Sequence, residues 1–172
     1  MTDMNLNGYG DVKWGDSIED IKRLYPNIED RTLEEERKEG ILFFEMKNDT
    51  GIMTSQGFYF YHGKLYSVTL FFDNIDVSSG EMLLQKFIEK YGRPGNPKIF
   101  KHWVNEDVFS ENVIVSRSIS PEMVIYIHNK QHINKFTEEV VATRHRYSYV
   151  NQKIADQIEI DNAKKNVNNI IL

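Results

Sequence analysis

Trp14-Gly15-Asp16-Ser17-Ile18-Glu19-Asp20-Ile21-Lys22-Arg23-Leu24-Tyr25-Pro26 reads as a short helix with both of its ends written into the chain. Asp16 or Ser17 offers an N-cap oxygen, and Glu19 or Asp20 stands three residues on to answer the exposed amides. Pro26 then lacks the N–H that a further turn would need. The same order returns in mid-chain. Ser79-Gly80-Glu81 opens a second helix, Leu83, Leu84, Phe87 and Ile88 recur at three- and four-residue intervals, and Tyr91-Gly92-Arg93-Pro94 closes it. That spacing puts the apolar side chains on one helix face. Aromatic-rich stretches with strand character follow each helix, so the sequence predicts a duplicated unit of one helix and three strands.

Working outward, strands are expected at 41–46, 57–61 and 64–72 in the first unit, and at 98–104, 112–119 and 122–128 in the second. His62-Gly63 between two of them is a two-residue hairpin turn whose glycine supplies the positive φ, and Asn48-Asp49-Thr50-Gly51 is a second turn. The charge-dense stretch 27–40 forms a loop or one solvated helical turn. Helices entering ahead of each group of strands predict an α+β fold, an antiparallel sheet with helices on one face, built from two α-βββ units at about 9–72 and 78–128. From Ile133 the heptad spacing Ile133, Val140, Tyr147, Ile154, with Phe136 and Val150 between, predicts a long C-terminal helix. The expected division is therefore an α+β domain over 1–132 and a helical segment over 133–172. A helix of about 35 residues would measure roughly 50 Å, against a radius of gyration of about 15–16 Å for a compact domain of this size. It must break, fold back on the sheet, or bury its seam against a second copy as a homodimer.

Composition excludes several function classes. The 172 residues carry 21 Lys and Arg against 26 Asp and Glu, a formal charge of −5. That balance argues against sequence-independent nucleic-acid binding, which needs a cationic surplus to displace counterions from phosphates. The chain has no cysteine, hence no disulfide, thiolate metal site or cysteine nucleophile. No apolar run approaches the roughly 20 residues of a membrane-spanning helix. Residues 1–10 have no basic and apolar leader pattern, so the chain as it stands is expected to be soluble and cytoplasmic, or of the periplasm or cell envelope if a signal has been removed.

The phrase from Trp14 to Pro26, with its weaker echo from Leu84 to Pro94, resembles the helix-opening phrase of small bacterial envelope domains. These are of the β-lactamase-inhibitory-protein and outer-membrane-assembly small-lipoprotein type. The resemblance implies a helix-and-sheet unit that works by binding another protein through its sheet face or loops. It covers about a dozen residues. The chain departs from such domains in lacking a lipid-bearing cysteine and a disulfide pair, and in having Asp16 where an apolar residue is common.

Candidate chemistry is sparse. His128-Asn129-Lys130-Gln131-His132 spaces two imidazoles four residues apart, a zinc-binding spacing on a helix, though Asn129 stands where a zinc protease carries glutamate. His128 and His132 are the metal candidates, and a small hydrolase or metal-dependent enzyme using them is the alternative function. Arg144-His145-Arg146 followed by Tyr147 and Tyr149 reads as a solvated helix flank or a small phosphate-contacting patch. Aromatic display is more prominent. Phe58-Tyr59-Phe60-Tyr61 places rings on both faces of one strand, and Tyr66 and Phe71 continue across the hairpin. Tyr59, Tyr61, Tyr66, Phe71, Tyr147 and Tyr149 are the candidate binding residues, because tyrosine joins apolar area to a hydrogen-bonding tip. The last helix could equally cover them. The sequence calls for no cofactor and no catalytic residue. It reads best as a non-enzymatic protein-binding or scaffolding module; an inhibitor or immunity protein for a basic partner is a further alternative, its acidity complementing that partner.

Overall fold

A computed structural model describes residues 5–49 and 51–171; the first four residues and the Thr50 position of the expected turn lie outside the described residues. A small hairpin of β1 (Gly8–Tyr9) and β2 (Val12–Lys13) precedes α1 (Ile18–Leu24). After β3 (Glu29–Asp30) and α2 (Glu34–Lys38) come β4 (Ile41–Lys47), β5 (Ser55–Tyr61) and β6 (Lys64–Phe72). The second half consists of α3 (Val77–Tyr91), β7 (Gly95–Trp103), β8 (Val108–Ser118), β9 (Met123–Asn134), β10 (Val140–Asn151) and α4 (Gln152–Asn168). The fold is α+β, with one open antiparallel sheet of eight strands in the order β3-β4-β5-β6-β10-β9-β8-β7.

The helix starts follow from their caps. Ser17 accepts from the Asp20 amide while the Asp20 carboxylate accepts from the Ser17 amide, a complete capping box. Asp16 instead accepts from the Lys13 amide in the preceding turn. In α3 the cap is Asp76 rather than the expected Ser79; Asp76 accepts from both the amide and the hydroxyl of Ser79. Gly92, at φ 91°, ends that helix, and Arg117 donates to the Tyr91 carbonyl at 2.8 Å. His62 and Gly63 turn the β5–β6 hairpin at φ 49° and 78°.

The expected helix over 133–172 is corrected. Ile133 closes β9, Val140, Tyr147 and Val150 lie in β10, and only Ile154 belongs to α4. The physical reason is an alternation. Thr143, His145, Tyr147 and Tyr149 point to one face, while Arg144, Arg146, Ser148 and Val150 point to the other, the period of two that a strand requires. This strand pairs with β9 on one side and β6 on the other, so it joins the two halves instead of forming an appendage. The second unit therefore carries four strands, not three, and no boundary falls at 132.

Helices α1 and α3 share one face. Ile21 of α1 meets Phe44, Phe58, Phe60, Leu65 and Val68, and Phe87 of α3 meets Phe72, Ile125, Ile127, Tyr147 and Tyr149. Tyr9 and Trp14 from the N-terminal segment touch both clusters and connect them. Helix α4 takes the opposite face, where Ile154 and Ile158 pack on Ile41, Tyr59, Tyr61 and Tyr66. The expectation of helices on a single face is corrected accordingly. The aromatics of β5 supply apolar area on both sides of the sheet, and each side needs its own cover.

Candidate functional site

Helix α4 packs its apolar side chains on the β4–β6 half of its face and reaches the start of β9, where Tyr126 donates to Gln152 Oε1 at 2.6 Å; the rest of the β7–β10 half has no helix over it. The antiparallel register writes out what this surface carries. One row across the strands reads Phe71, Arg146, His128, Ile114, Lys98, and the next reads Arg144, Lys130, Asn112, Phe100. On one side lies a row of Thr69, Ser148, Tyr126 and Ser116, on the other Ala142, His132, Ser110 and His102. Lys98, Lys130, Arg144 and Arg146 thus converge on one sheet face of an acidic chain.

Arg144 and Lys130 are direct cross-strand partners. Like charges placed so oppose each other, and a sheet normally avoids the arrangement. Asp73 meets Arg144 Nε at 3.3 Å. Arg146 lies 5.1 Å from the centre of the Phe71 ring, and its Nε is buried without a hydrogen-bond partner. The Thr69 and Ser148 hydroxyls are 2.9 Å apart beside it. A depression of about 620 Å³, lined by Lys98, Ser116, Tyr126, His128 and Ser148 among others, adjoins a smaller one formed by Asn112, His128, Lys130, Arg144 and Arg146.

His128 sits at the centre of this surface. Asn112 Nδ2 donates to Ser110 Oγ at 3.1 Å, which aims Asn112 Oδ1 at His128 Nε2, also at 3.1 Å. Nε2 is then the donor, and the neutral ring keeps its lone pair on Nδ1. Burial, followed by the positive charges of Arg146, Lys130 and Arg144, lowers the His128 pKa. The imidazole is therefore a neutral hydrogen-bonding group among fixed cations, and the arrangement as a whole can receive an anion.

The expected site residues fall in different places. Tyr59, Tyr61 and Tyr66 are under or beside α4, with Tyr61 donating to Asp161 and 7% exposed. The Asp161 carboxylate and burial push the Tyr61 phenol up to about 12, and burial raises Tyr59 and Tyr66 as well. Phe71 is buried beside Arg146. Tyr147 and Tyr149 belong to the α3 core on the other face, where Tyr149 packs against Tyr9 and Tyr91. These six side chains do not form one surface. His128 and His132 share a face, but on a strand rather than a helix, and four residues of strand separate them by roughly 13 Å. Two imidazoles so far apart cannot hold one zinc ion, and among the described residues no group of three or more potential metal ligands is present. Sequence reasoning missed the convergence of Lys98, Asn112, Lys130, Arg144 and Arg146. The visible signal was the alternation of Arg144, Arg146 and Ser148 with Thr143, His145 and Tyr147.

Among the described residues no helix is long and apolar enough to cross a membrane. No protein family, no curated protein and no solved structure matches this chain.

Proposed function

We propose that the chain is a binding module that holds an acidic segment of a partner protein on the helix-free half of its sheet. The observation that carries this reading is the Arg144–Lys130 cross-strand pair, flanked by Arg146 and Lys98 and balanced only in part by Asp73. Two cations held face to face raise the energy of the free protein, and a carboxylate laid between them recovers it. Ser116, Ser148 and the neutral His128 add uncharged donors and acceptors beside the cations, the mixture that gives a polar interface its register. The acidic balance of the chain as a whole favours a short acidic segment over a long polyanion, whose further charges would meet like charge beyond the patch. The resemblance of Trp14 to Pro26 to small envelope domains that bind proteins points the same way.

The test is fluorescence anisotropy with three labelled probes: a peptide rich in Asp and Glu, a peptide rich in Lys, and a single-stranded oligonucleotide. The acidic peptide should bind best, and added salt should weaken it. Neutralising both cations, Lys130→Gln with Arg144→Gln, should cost at least about tenfold in affinity while the unfolding midpoint holds. Tighter binding of the oligonucleotide or of the basic peptide, or an unchanged affinity in the double variant, would overturn the proposal.

A further inference from the structure

On the opposite face of the sheet, α3 and the outer strands form a half-open cavity of about 330 Å³. Its walls are apolar: Leu84 and Ile88 of α3 above, Val113, Val115 and Ile127 of the sheet below. One end is different. The register sets His145 directly across from Asn129, with Tyr147 two residues along the same face, and all three line the cavity. His145 is 8% exposed and Tyr147 3%. His145 Nδ1, Asn129 Oδ1 and the Tyr147 hydroxyl are each buried without a hydrogen-bond partner. Buried polar groups in proteins are almost always paired, so three orphans on residues that line one apolar cavity call for a common explanation.

We infer that this cavity is a binding site for a neutral small molecule about two fused rings in size, carrying a hydroxyl or N–H head that pairs with Asn129, His145 and Tyr147. The size follows from volume, since a cavity of about 150 Å³ holds benzene and this one is roughly twice as large. Neutrality follows from the lining. Burial lowers the His145 pKa and pushes the Tyr147 phenol up to about 12, so both stay uncharged near neutral pH. The charged group on the lining is Arg93, which is exposed and stands at the mouth. An ionised ligand would lose its hydration to a pocket with no buried counter-charge. A hydroxyl or N–H head suits the atoms present: it donates to Asn129 Oδ1, and a hydroxyl also accepts from the phenol of Tyr147. The helix closes over this end. His145 packs beneath Gly80 so closely that a Cβ there would stand 3.0 Å from its Cε1, and Leu84 and Ile88 follow Gly80 at four-residue steps as the roof.

The full chain is titrated with naphthol and with naphthalene, followed by ligand fluorescence and by the NMR signals of the histidine rings. Naphthol should bind one to one and about tenfold more tightly than naphthalene, the worth of one or two satisfied hydrogen bonds. It should shift the His145 ring signal and leave that of the edge-strand residue His102 in place. Tyr147→Phe with Asn129→Leu should erase the preference for naphthol, and Val115→Trp, which fills the cavity, should abolish binding of both compounds. Absence of saturable binding to the natural chain, a naphthol preference that survives the polar substitutions, or a His145 signal that does not move would each overturn the inference. The histidine readout needs no variant, so it decides the matter even if Val115→Trp fails to fold.

Discussion

Replacing Ile158 by alanine probes whether α4 is the cover of the aromatic half-sheet. Ile158 is 9% exposed and packs in the cluster of Ile41 and Tyr61, against which Tyr59, Tyr66 and Ile154 also lie. The substitution deletes three carbons, and about 0.8 kcal/mol per buried methylene puts the transfer loss at roughly 2–2.5 kcal/mol. Stiff aromatic neighbours cannot collapse fully into the space, which adds up to about 1 kcal/mol, while the better helix propensity of alanine returns about 0.4 kcal/mol. The net expectation is a loss of about 2–3 kcal/mol, read from the midpoint and slope of urea unfolding. Ile160, on the same helix and 48% exposed, should lose no more than about 0.5 kcal/mol on the same change. A helix that buried itself against a second copy would reverse this order, and sedimentation equilibrium on the same samples would show the dimer. A loss below about 0.5 kcal/mol at Ile158 together with one above about 1.5 kcal/mol at Ile160 would refute the docking described here.

Ser17→Ala removes the oxygen that caps α1 and should cost about 0.5–2 kcal/mol in chemical denaturation, with Thr in its place recovering most of it. Asp76→Ala should lower the thermal midpoint more than Ser79→Ala does, because Asp76 is the cap and Ser79 one of its donors; the opposite order would contradict the cap assignment. At Gly57 an added Cβ would stand 2.4 Å from Phe43 Cε2 and 2.9 Å from Phe71 Cε2, so Gly57→Ala should destabilise by about 1–3 kcal/mol. The pH dependence follows from the two histidines whose pKa is lowered on folding. Each binds its proton more readily in the unfolded chain, so their contribution is fully present above the ordinary value of 6.5 and is lost as pH falls below it. Stability should therefore decline between about pH 7.5 and pH 5, and His128→Gln with His145→Gln should flatten the slope; a slope of opposite sign would refute the assignment.

Much of the fold was legible because local chemistry decided it. The Ser17 and Asp20 box, the apolar stripe of Leu84, Phe87 and Ile88, and the His62-Gly63 turn each specify their element within a few residues, and β6 occupies the expected 64–72. Strand β10 was misread for an equally local reason. Ile133, Val140, Tyr147 and Ile154 happen to stand seven apart, and Arg144 and Arg146 look like the wet flank of a helix when the inward residues beside them are Thr143 and His145. What makes those inward residues acceptable is tertiary: α3 covers His145 and Tyr147, and only pairing with β6 and β9 supplies that cover. The cationic face lay further from reach. Lys98, Asn112, Lys130 and Arg144 come from four strands, and their proximity exists only in the cross-strand register. The aromatic display of β5 was evident, but the chain alone does not say that α1 covers one of its sides and α4 the other.

The most direct test of the acidic-partner account is a backbone and side-chain NMR titration of the full chain with the Asp- and Glu-rich peptide. The account predicts shifts confined to one surface, at Lys98, Ser116, Tyr126, His128, Lys130, Arg144 and Arg146, with the residues around Ile21, Phe87 and Ile158 unmoved. Shifts centred on the α1 and α3 face or on α4, or none at all at concentrations where the peptide binds, would contradict it.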